Sequence, residues 1–384
     1  MSDEATTIGK STTSVSATDP EVASPILEIE NIVKDFGDLR AVDVPSLTLR
    51  DGEFFTLVGP SGSGKSTLLR MISGLETPTS GHTYISGEEV TGAPANKRPT
   101  ALIFQDFQLF PHKTVVENIA FPLKMDGVGK TERRSRASEL LEFVDLKGYE
   151  EKYPKQLSGG EQQRISLARG LISEPDILLL DEPLASLDRN LREQLQVELR
   201  KFQRRLGITF IYVTHNQEVA LTMSDRIAVM DGGNIEQLGE PMEVYQKPET
   251  EFVATFLGEV NSIEGTVEST DGSTAVLKHR DVRLSGRVGS DLSVGDSARF
   301  NVKSEALRIA AGDPPADATL TGTLTDEIFT GKNINYLVKP VDIDIDADEL
   351  IVSEAAVNRH ELSPGDTVRL SWEPSDAHIF PTEE

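Results

Sequence analysis

Three short stretches of this 384-residue chain carry the residue types that chemistry on phosphates requires. Gly59-Pro60-Ser61-Gly62-Ser63-Gly64-Lys65-Ser66-Thr67 follows an apolar run, Phe54 to Val58, and precedes the helical pattern Leu68-Leu69-Arg70-Met71-Ile72. Glycines let such a loop wrap, so that successive backbone N–H groups and a helix N-terminus face phosphate oxygens. Lys65 then reaches the β- and γ-phosphates, and the Ser66 hydroxyl is a ligand for Mg²⁺, whose other ligands are phosphate oxygens and water. The second stretch, Ile177-Leu178-Leu179-Leu180-Asp181-Glu182, reads as a strand ending in two acids that alternation aims differently. Asp181 would hold Mg²⁺, usually through water, and Glu182 would polarise the water that attacks the γ-phosphate. Two acids after an apolar strand are more often structural than catalytic; the phosphate loop upstream reverses that here. In the third stretch, Leu157-Ser158-Gly159-Gly160-Glu161-Gln162-Gln163-Arg164, Ser158 and Glu161 have capping-box spacing, so a helix starts with exposed amides. It is either a capped helix and nothing more, or a dipole and a serine presented to a phosphate.

These stretches need elements to position them, and the hydrophobic patterning supplies candidates. From Ile26 onward, short β-type runs (Leu27 to Glu30, Phe54 to Val58, Ile177 to Leu180, Phe210 to Val213) alternate with helical stretches. The all-apolar runs predict strands covered on both faces, hence a mixed or parallel α/β sheet. Leu191, Leu195, Leu199, Phe202 and Leu206 follow the helical period, and Gly207 is placed to stop that helix. Between about 114 and 172 strand signals vanish, which predicts a helical insert. Residues 1–24 hold ten Ser or Thr and almost nothing to bury, so they read as a disordered tail before an α/β domain over 25–257.

After Leu257 the texture changes to short β runs punctuated by Asp271-Gly272, Gly295-Asp296 and Gly365-Asp366, which predicts an all-β domain over 258–384. Leu292 to Phe300 matches Leu362 to Leu370 at an offset of 70 with five identities in nine positions. Gly265-Thr266-Val267 and Gly322-Thr323-Leu324 are the corresponding starts, so two tandem, interleaved repeats are expected. Val341 to Asp346, alternating apolar and acidic, reads as an edge strand with one solvated acidic face rather than a metal site.

Composition narrows the function. With no cysteine there is no disulfide, iron–sulfur cluster, thiolate zinc site or thiol catalysis, and any metal is held by oxygen or imidazole. A formal charge of −25 argues against nucleic acid as the main partner, because phosphate-backbone binding draws its affinity from clustered Lys and Arg. The acidity is densest in residues 258–384, with 24 acids against 11 bases, and it favours adaptation of the surface to high salt. No stretch reaches the roughly 18–20 apolar residues of a membrane span, and no basic flank and apolar run mark a secretory signal, so a cytoplasmic product is expected.

The order of the loop Gly59 to Thr67, the Walker A motif, the 157–164 stretch and the strand Ile177 to Glu182, the Walker B motif, resembles ABC-type ATPases, with Ser158-Gly159-Gly160 in the family signature. The resemblance implies a P-loop NTPase cassette with a helical subdomain and an OB-like tandem β domain. It further implies ATP and Mg²⁺ as ligands, and a dimer in which Ser158, Gly159 and Gly160 complete the site of the second subunit. Phe36 sits where the adenine-stacking aromatic lies. Gln105 matches the glutamine that senses Mg²⁺ and the attacking water, Asp188 a residue across the dimer interface, and His215 the switch histidine on the γ-phosphate. Glu161 stands where glutamine is common, Asn216 where aspartate often follows the histidine, and Ala185-Ser186 inverts the usual order.

The stretch Phe110-Pro111-His112-Lys113-Thr114-Val115 resembles the importer region that docks the membrane subunit's coupling helix. Ala95 to Pro99 and Phe256 to Asn261 look most like the spermidine/putrescine branch, and Trp372-Glu373-Pro374 with His378-Ile379-Phe380 resembles that group's closing strand. The resemblance thus implies an ATP-hydrolysing importer subunit at the cytoplasmic face of the membrane, working with permease subunits and, indirectly, a solute-binding protein. Ferric iron, thiamine, molybdate and sulfate remain alternative substrates. A soluble ABC ATPase acting on a macromolecular complex is the reading from another class, although only about 112 residues separate Lys65 from Ile177, leaving no room for long coiled coils.

Overall fold

In the computed structural model, the described residues are 25–104, 108–184, 189–289, 291–310, 318–341, 343, 345 and 348–382. The tail 1–24, Gln105 and Asp188 lie outside them.

Six strands form the central sheet in the order Asn234–Gly239, Arg226–Asp231, Phe54–Val58, Thr209–Thr214, Ile177–Asp181, Thr100–Ile103. All neighbours are parallel except the edge hairpin of the first two. The two central strands are buried along their whole length, as continuous apolar runs require when both faces are covered. Alternation divides their side chains. Phe54, Leu178, Leu180, Phe210 and Tyr212 face a core shared with the helical region. Phe55, Leu57, Leu179, Ile211 and Val213 face a core shared with helix Lys65–Ser73 and a four-stranded antiparallel sheet. That second sheet runs in the order Leu39–Leu49, Leu27–Phe36, Ser80–Ile85, Glu88–Glu89.

The expected helical stretch contains Val115–Ile119, Phe121–Met125, Lys130–Phe143 and Gly159–Leu171. The helix read from Leu191 onward is Arg189–Leu206, ended by Gly207 at φ +68°. Arg98, which pairs with no described carboxylate, is buried and spends its guanidinium on the carbonyls of Met71, Ile72, Thr91 and Ala93. Two of these are end carbonyls of helix Lys65–Ser73, so a cation braces the C-terminal, negative end of the phosphate-loop helix.

Beyond Leu257, Val260–Thr270, Thr274–His279, Val282–Val288, Ala377–Pro381 and Ser297–Lys303 close a barrel. The other five strands form a sheet in the order Arg308–Ile309, Thr367–Ser371, Thr319–Phe329, Asn333–Pro340, Leu350–Ala355. The final strand returns to the first barrel, so the two units interleave around one shared core. The two Gly-Asp motifs fold alike. Asp296 accepts from Ser293 N–H and Asp366 from Ser363 N–H, each at 2.8 Å, with Gly295 at φ +96° and Gly365 at φ +101°. Each motif then pairs its backbone with Val267 or Leu324, in the Gly-Thr segments read as the repeat starts.

Of the segment Val341 to Asp346, read as an edge strand, Asp342, Asp344 and Asp346 lie outside the described residues; strand Asn333–Pro340 ends at the proline, and the described Val341, Ile343 and Ile345 belong to no strand. Ile343 is buried in the barrel-and-sheet core, so its side chain is held by packing rather than by a ladder. No described helix is long and apolar enough to cross a membrane.

Polar contacts join this region to the helices before it. Glu251 accepts from Arg299 at 3.0 Å and from Asn301 at 3.3 Å, Lys303 donates to the Tyr245 carbonyl at 2.6 Å, and the Tyr245 hydroxyl donates to Glu305. His378 is buried beside this junction, and its Nε2 has no hydrogen-bond partner among the described residues. Burial, with help from the Lys303 and Arg287 charges, pushes the imidazole down to about 4, against weaker opposition from the Gln246 backbone and Asp376. The unfolded chain therefore binds a proton that the folded chain refuses between about pH 4 and pH 6.5, so stability rises with pH across that window. Acidification from pH 7 to 4 is expected to remove about 3 kcal/mol through this group, read as a falling melting temperature; His378→Phe should flatten that slope.

Candidate functional site

The phosphate loop hangs between two strands that leave no room for side chains at its ends. A Cβ on Gly59 would lie 2.1 Å from the Met230 carbonyl oxygen, and one on Gly64 would lie 2.5 Å from that of Ala41. Gly64 is also the N-cap of helix Lys65–Ser73 at φ +94°. No side chain caps this helix and no acid occupies its first turn, so its free N–H groups and positive dipole end point into the loop. Lys65, 6% exposed, arches back over the loop and donates to the Pro60 carbonyl at 2.6 Å and the Ser63 hydroxyl at 3.0 Å. Burial holds its ammonium below the usual lysine range, while Glu182 and Asp181 oppose that shift.

One strand, Ile177–Asp181, delivers both acids. Ser66 donates its hydroxyl to Asp181 Oδ1 at 3.0 Å, which brings together the two oxygen groups read as Mg²⁺ ligands. Burial raises the Asp181 carboxyl, partly offset by the Ser66 hydrogen bond and the Arg70 charge. Glu182 is aimed away from Asp181, as expected of the two acids. It lies just past the strand at φ +47°, a left-handed conformation costing a non-glycine residue about 1 kcal/mol. Its N–H donates to Val213 O at 3.1 Å, and its Oε1 lies 2.9 Å from His215 Nδ1. Glu182 and His215 border a pocket of about 40 Å³, enough for a few water molecules. Asn216, where aspartate was the common residue, caps helix Gln217–Met223 by accepting from Val219 N–H at 3.1 Å.

The remaining candidates lie apart from this cluster. Ser158 caps helix Gly159–Leu171 in a reciprocal box: its N–H and hydroxyl both donate to Glu161 Oε2, at 2.7 and 2.9 Å. No described hydrogen bond joins Ser158, Gly159 or Gly160 to the phosphate loop. Phe36 is half exposed at the tip of the hairpin that also carries Ala41, with the Lys34 ammonium 4.8 Å from its ring centre.

Sequence reasoning missed the residues that shape the 110–115 stretch. Asn118 is fully buried, accepts from Phe110 N–H at 2.7 Å, and donates to the carbonyls of Phe110, Lys113 and Thr114. Arg169 donates to Gln108 O at 2.8 Å. Thr114 and Glu117 close a capping box at the start of helix Val115–Ile119, and that spacing was the one signal in the sequence pointing here.

A glycine loop under an uncapped helix end, with a lysine, a hydroxyl and a buried carboxylate converging on it, defines a P-loop nucleotide-binding protein. Comparison with known proteins narrows the class. Residues 42–185 match the ABC transporter family and residues 300–380 the TOBE domain. The chain is 43% identical over 383 residues, 96% of each chain, to the spermidine/putrescine import ATP-binding protein PotA of Thermobifida fusca. It is 42% identical over 352 residues to the PotA of Rubrobacter xylanophilus, covering 90% of this chain and 91% of that one. The structure of cbiO1 from Clostridium perfringens, part of the ABC transporter complex cbiONQ, superposes with a TM-score of 0.53 at 28% identity, covering 58% of this chain and 90% of that one. The chain belongs to the ABC transporter family, among its import ATP-binding proteins. Its enzymatic activity is the family's, hydrolysis of ATP coupled to transport.

Two outcomes follow from the geometry. Gly64→Ala meets both a left-handed φ and a carbonyl, and should weaken ATP binding by about 100-fold or more. Gly62→Ala, at φ +88° with nothing within 4 Å of the new methyl, should cost only about 1 kcal/mol of stability. Nucleotide titration and melting curves separate the two. Glu182→Gln should retain ATP while turnover falls at least about 100-fold; undiminished hydrolysis would reject Glu182 as the residue that polarises the attacking water.

Proposed function

We propose that this chain is the ATP-hydrolysing subunit of a polyamine importer, seated at the cytoplasmic face of the membrane and powering the entry of spermidine or putrescine. The observation that carries this reading is identity above 40% over nearly the whole length, β region included, to proteins named for spermidine/putrescine import. The chain divides into a nucleotide-binding domain, 25–257, and a regulatory β domain, 258–384. Gly59 to Thr67 cradle the phosphates and Phe36 stacks on the adenine. Ser66, Asp181 and Gln105 hold Mg²⁺; the hydroxyl and carboxylate already bonded at 3.0 Å are hard oxygen donors suited to that ion. Glu182 polarises the attacking water, and His215, bonded to it, contacts the γ-phosphate.

The separation of Ser158, Gly159 and Gly160 from this chain's own loop supports a two-subunit arrangement, each signature completing the other's site with Asp188 across the interface. ATP closes the dimer, closure moves permease subunits docked near Phe110–Val115, and hydrolysis resets them. Substrate does not touch this chain.

Uptake of labelled spermidine and putrescine in a deletion strain tests the assignment. Uptake should vanish, return with the wild-type gene and not with Glu182→Gln, while uptake of ferric iron, thiamine, molybdate and sulfate stays unchanged. Unaltered polyamine uptake would sink it.

A further inference from the structure

The aromatic at the tip of the first hairpin is held from behind. Strands Leu27–Phe36 and Leu39–Leu49 shift register between Lys34 and Asp35, and such a shift re-aims the residues beyond it, so the regular ladder alone does not fix where the Phe36 ring points. The Lys34 ammonium stands over one face of that ring, 4.8 Å from its centre. The ring is otherwise half exposed, which leaves its opposite face open.

Lys34 is not a free surface lysine. Its side chain is only 13% exposed, and its ammonium binds Glu76 at 2.6 Å and donates to the Thr77 carbonyl at 2.8 Å. Both partners belong to the segment that leaves the phosphate-loop helix, Lys65–Ser73. That segment is itself fixed at each end. The N–H groups of Leu75 and Glu76 donate to the Arg70 carbonyl at 2.9 and 3.1 Å, and Thr79 N–H donates to the Val33 carbonyl at 2.8 Å. The Thr79 hydroxyl in turn accepts from Asp35 N–H at 2.9 Å. A continuous set of polar bonds therefore runs from the helix under the phosphate loop to the exposed ring.

An ion pair this close to solvent adds little to stability, so its value lies in what it positions. A ring held in place before the ligand arrives loses less side-chain freedom on stacking. The ammonium also draws π density to its own side, and the face left open is less negative toward an electron-rich purine.

We propose that Lys34 is a positioning residue for the adenine: braced by Glu76 and Thr77, it fixes the Phe36 ring at a set distance from the phosphate loop, so that base and phosphates are bound together. The inference rests on Phe36 as the adenine-stacking residue and adds the group that holds it.

The full-length chain, titrated with ADP and with inorganic pyrophosphate, each with Mg²⁺, tests this without hydrolysis. Lys34→Met keeps the length of the side chain and removes its charge. Affinity for ADP should fall about three- to tenfold while affinity for pyrophosphate is unchanged, and KM for ATP should rise with kcat altered less than about twofold. Lys34→Arg should retain ADP affinity, because a guanidinium also serves over a ring. In a Phe36→Leu background, Lys34→Met should have no further effect. Unchanged ADP affinity in Lys34→Met would overturn the proposal, and so would an equal loss for pyrophosphate, which would place Lys34 on the phosphates. A Lys34→Met loss that persists in full without the Phe36 ring would overturn it as well. If Phe36→Leu itself binds ADP as wild type does, the stacking role of Phe36 falls and takes this inference with it, while the importer reading stands.

Discussion

Val58 lies beside Thr214, and Asp181 beside Val213, at the carboxyl ends of three adjacent parallel strands. Because parallel strands share one direction, their continuations emerge together at one edge of the sheet. The phosphate loop leaves the first strand, Glu182 the third, and His215 the one between. Shifting any strand by one residue would turn its side chains to the other core and carry its continuation away from the others. Two separate apolar clusters grip opposite faces of these strands, which is what holds the register.

Within that edge the groups are arranged at an electrostatic cost. Burial weakens the lysine's hold on its proton and strengthens the aspartate's, so Lys65 and Asp181 both favour their neutral forms more than they would in water. A bound polyphosphate with its divalent cation, as proposed for this site, would supply the opposite charges that make both ionised forms favourable. The left-handed backbone at Glu182 is a second cost, maintained by its bond to Val213 and its contact with His215. Packing beneath the site and the Arg98 brace at the far end of the phosphate-loop helix hold these groups in place.

The β region repeats one device twice. A Gly-Asp turn folds onto a Gly-Thr strand in each unit, and the chain's last strand crosses back to close the first barrel. Trp372, the single tryptophan, is core: its indole donates to Ser285 O at 2.9 Å and its ring packs on Phe300. The polar junction through Glu251, Arg299, Lys303 and Tyr245 then ties this region to the helices that follow the sheet, so its orientation is set by hydrogen bonds as well as by chain length.

Local patterns were enough for much of this protein. The glycine loop, the acids after an apolar strand, the capping box at Ser158 and the twofold β repeat are all legible in sequence, because each depends on residues within a few positions of one another or on an internal copy. What alternation did not show was the backbone beyond a strand end: Glu182 sits in a left-handed turn, and Ile343 is held by core packing. Asn118, Arg98 and Arg169 were invisible because they bond to backbone groups, which every residue possesses and no pattern marks. The pairing of Glu182 with His215, 33 residues apart, and the gathering of five cations from two helices and the bend before a third around one recess belong to tertiary structure alone. Those contacts depend on strand register and helix packing, which bring together positions that spacing along the chain leaves unrelated.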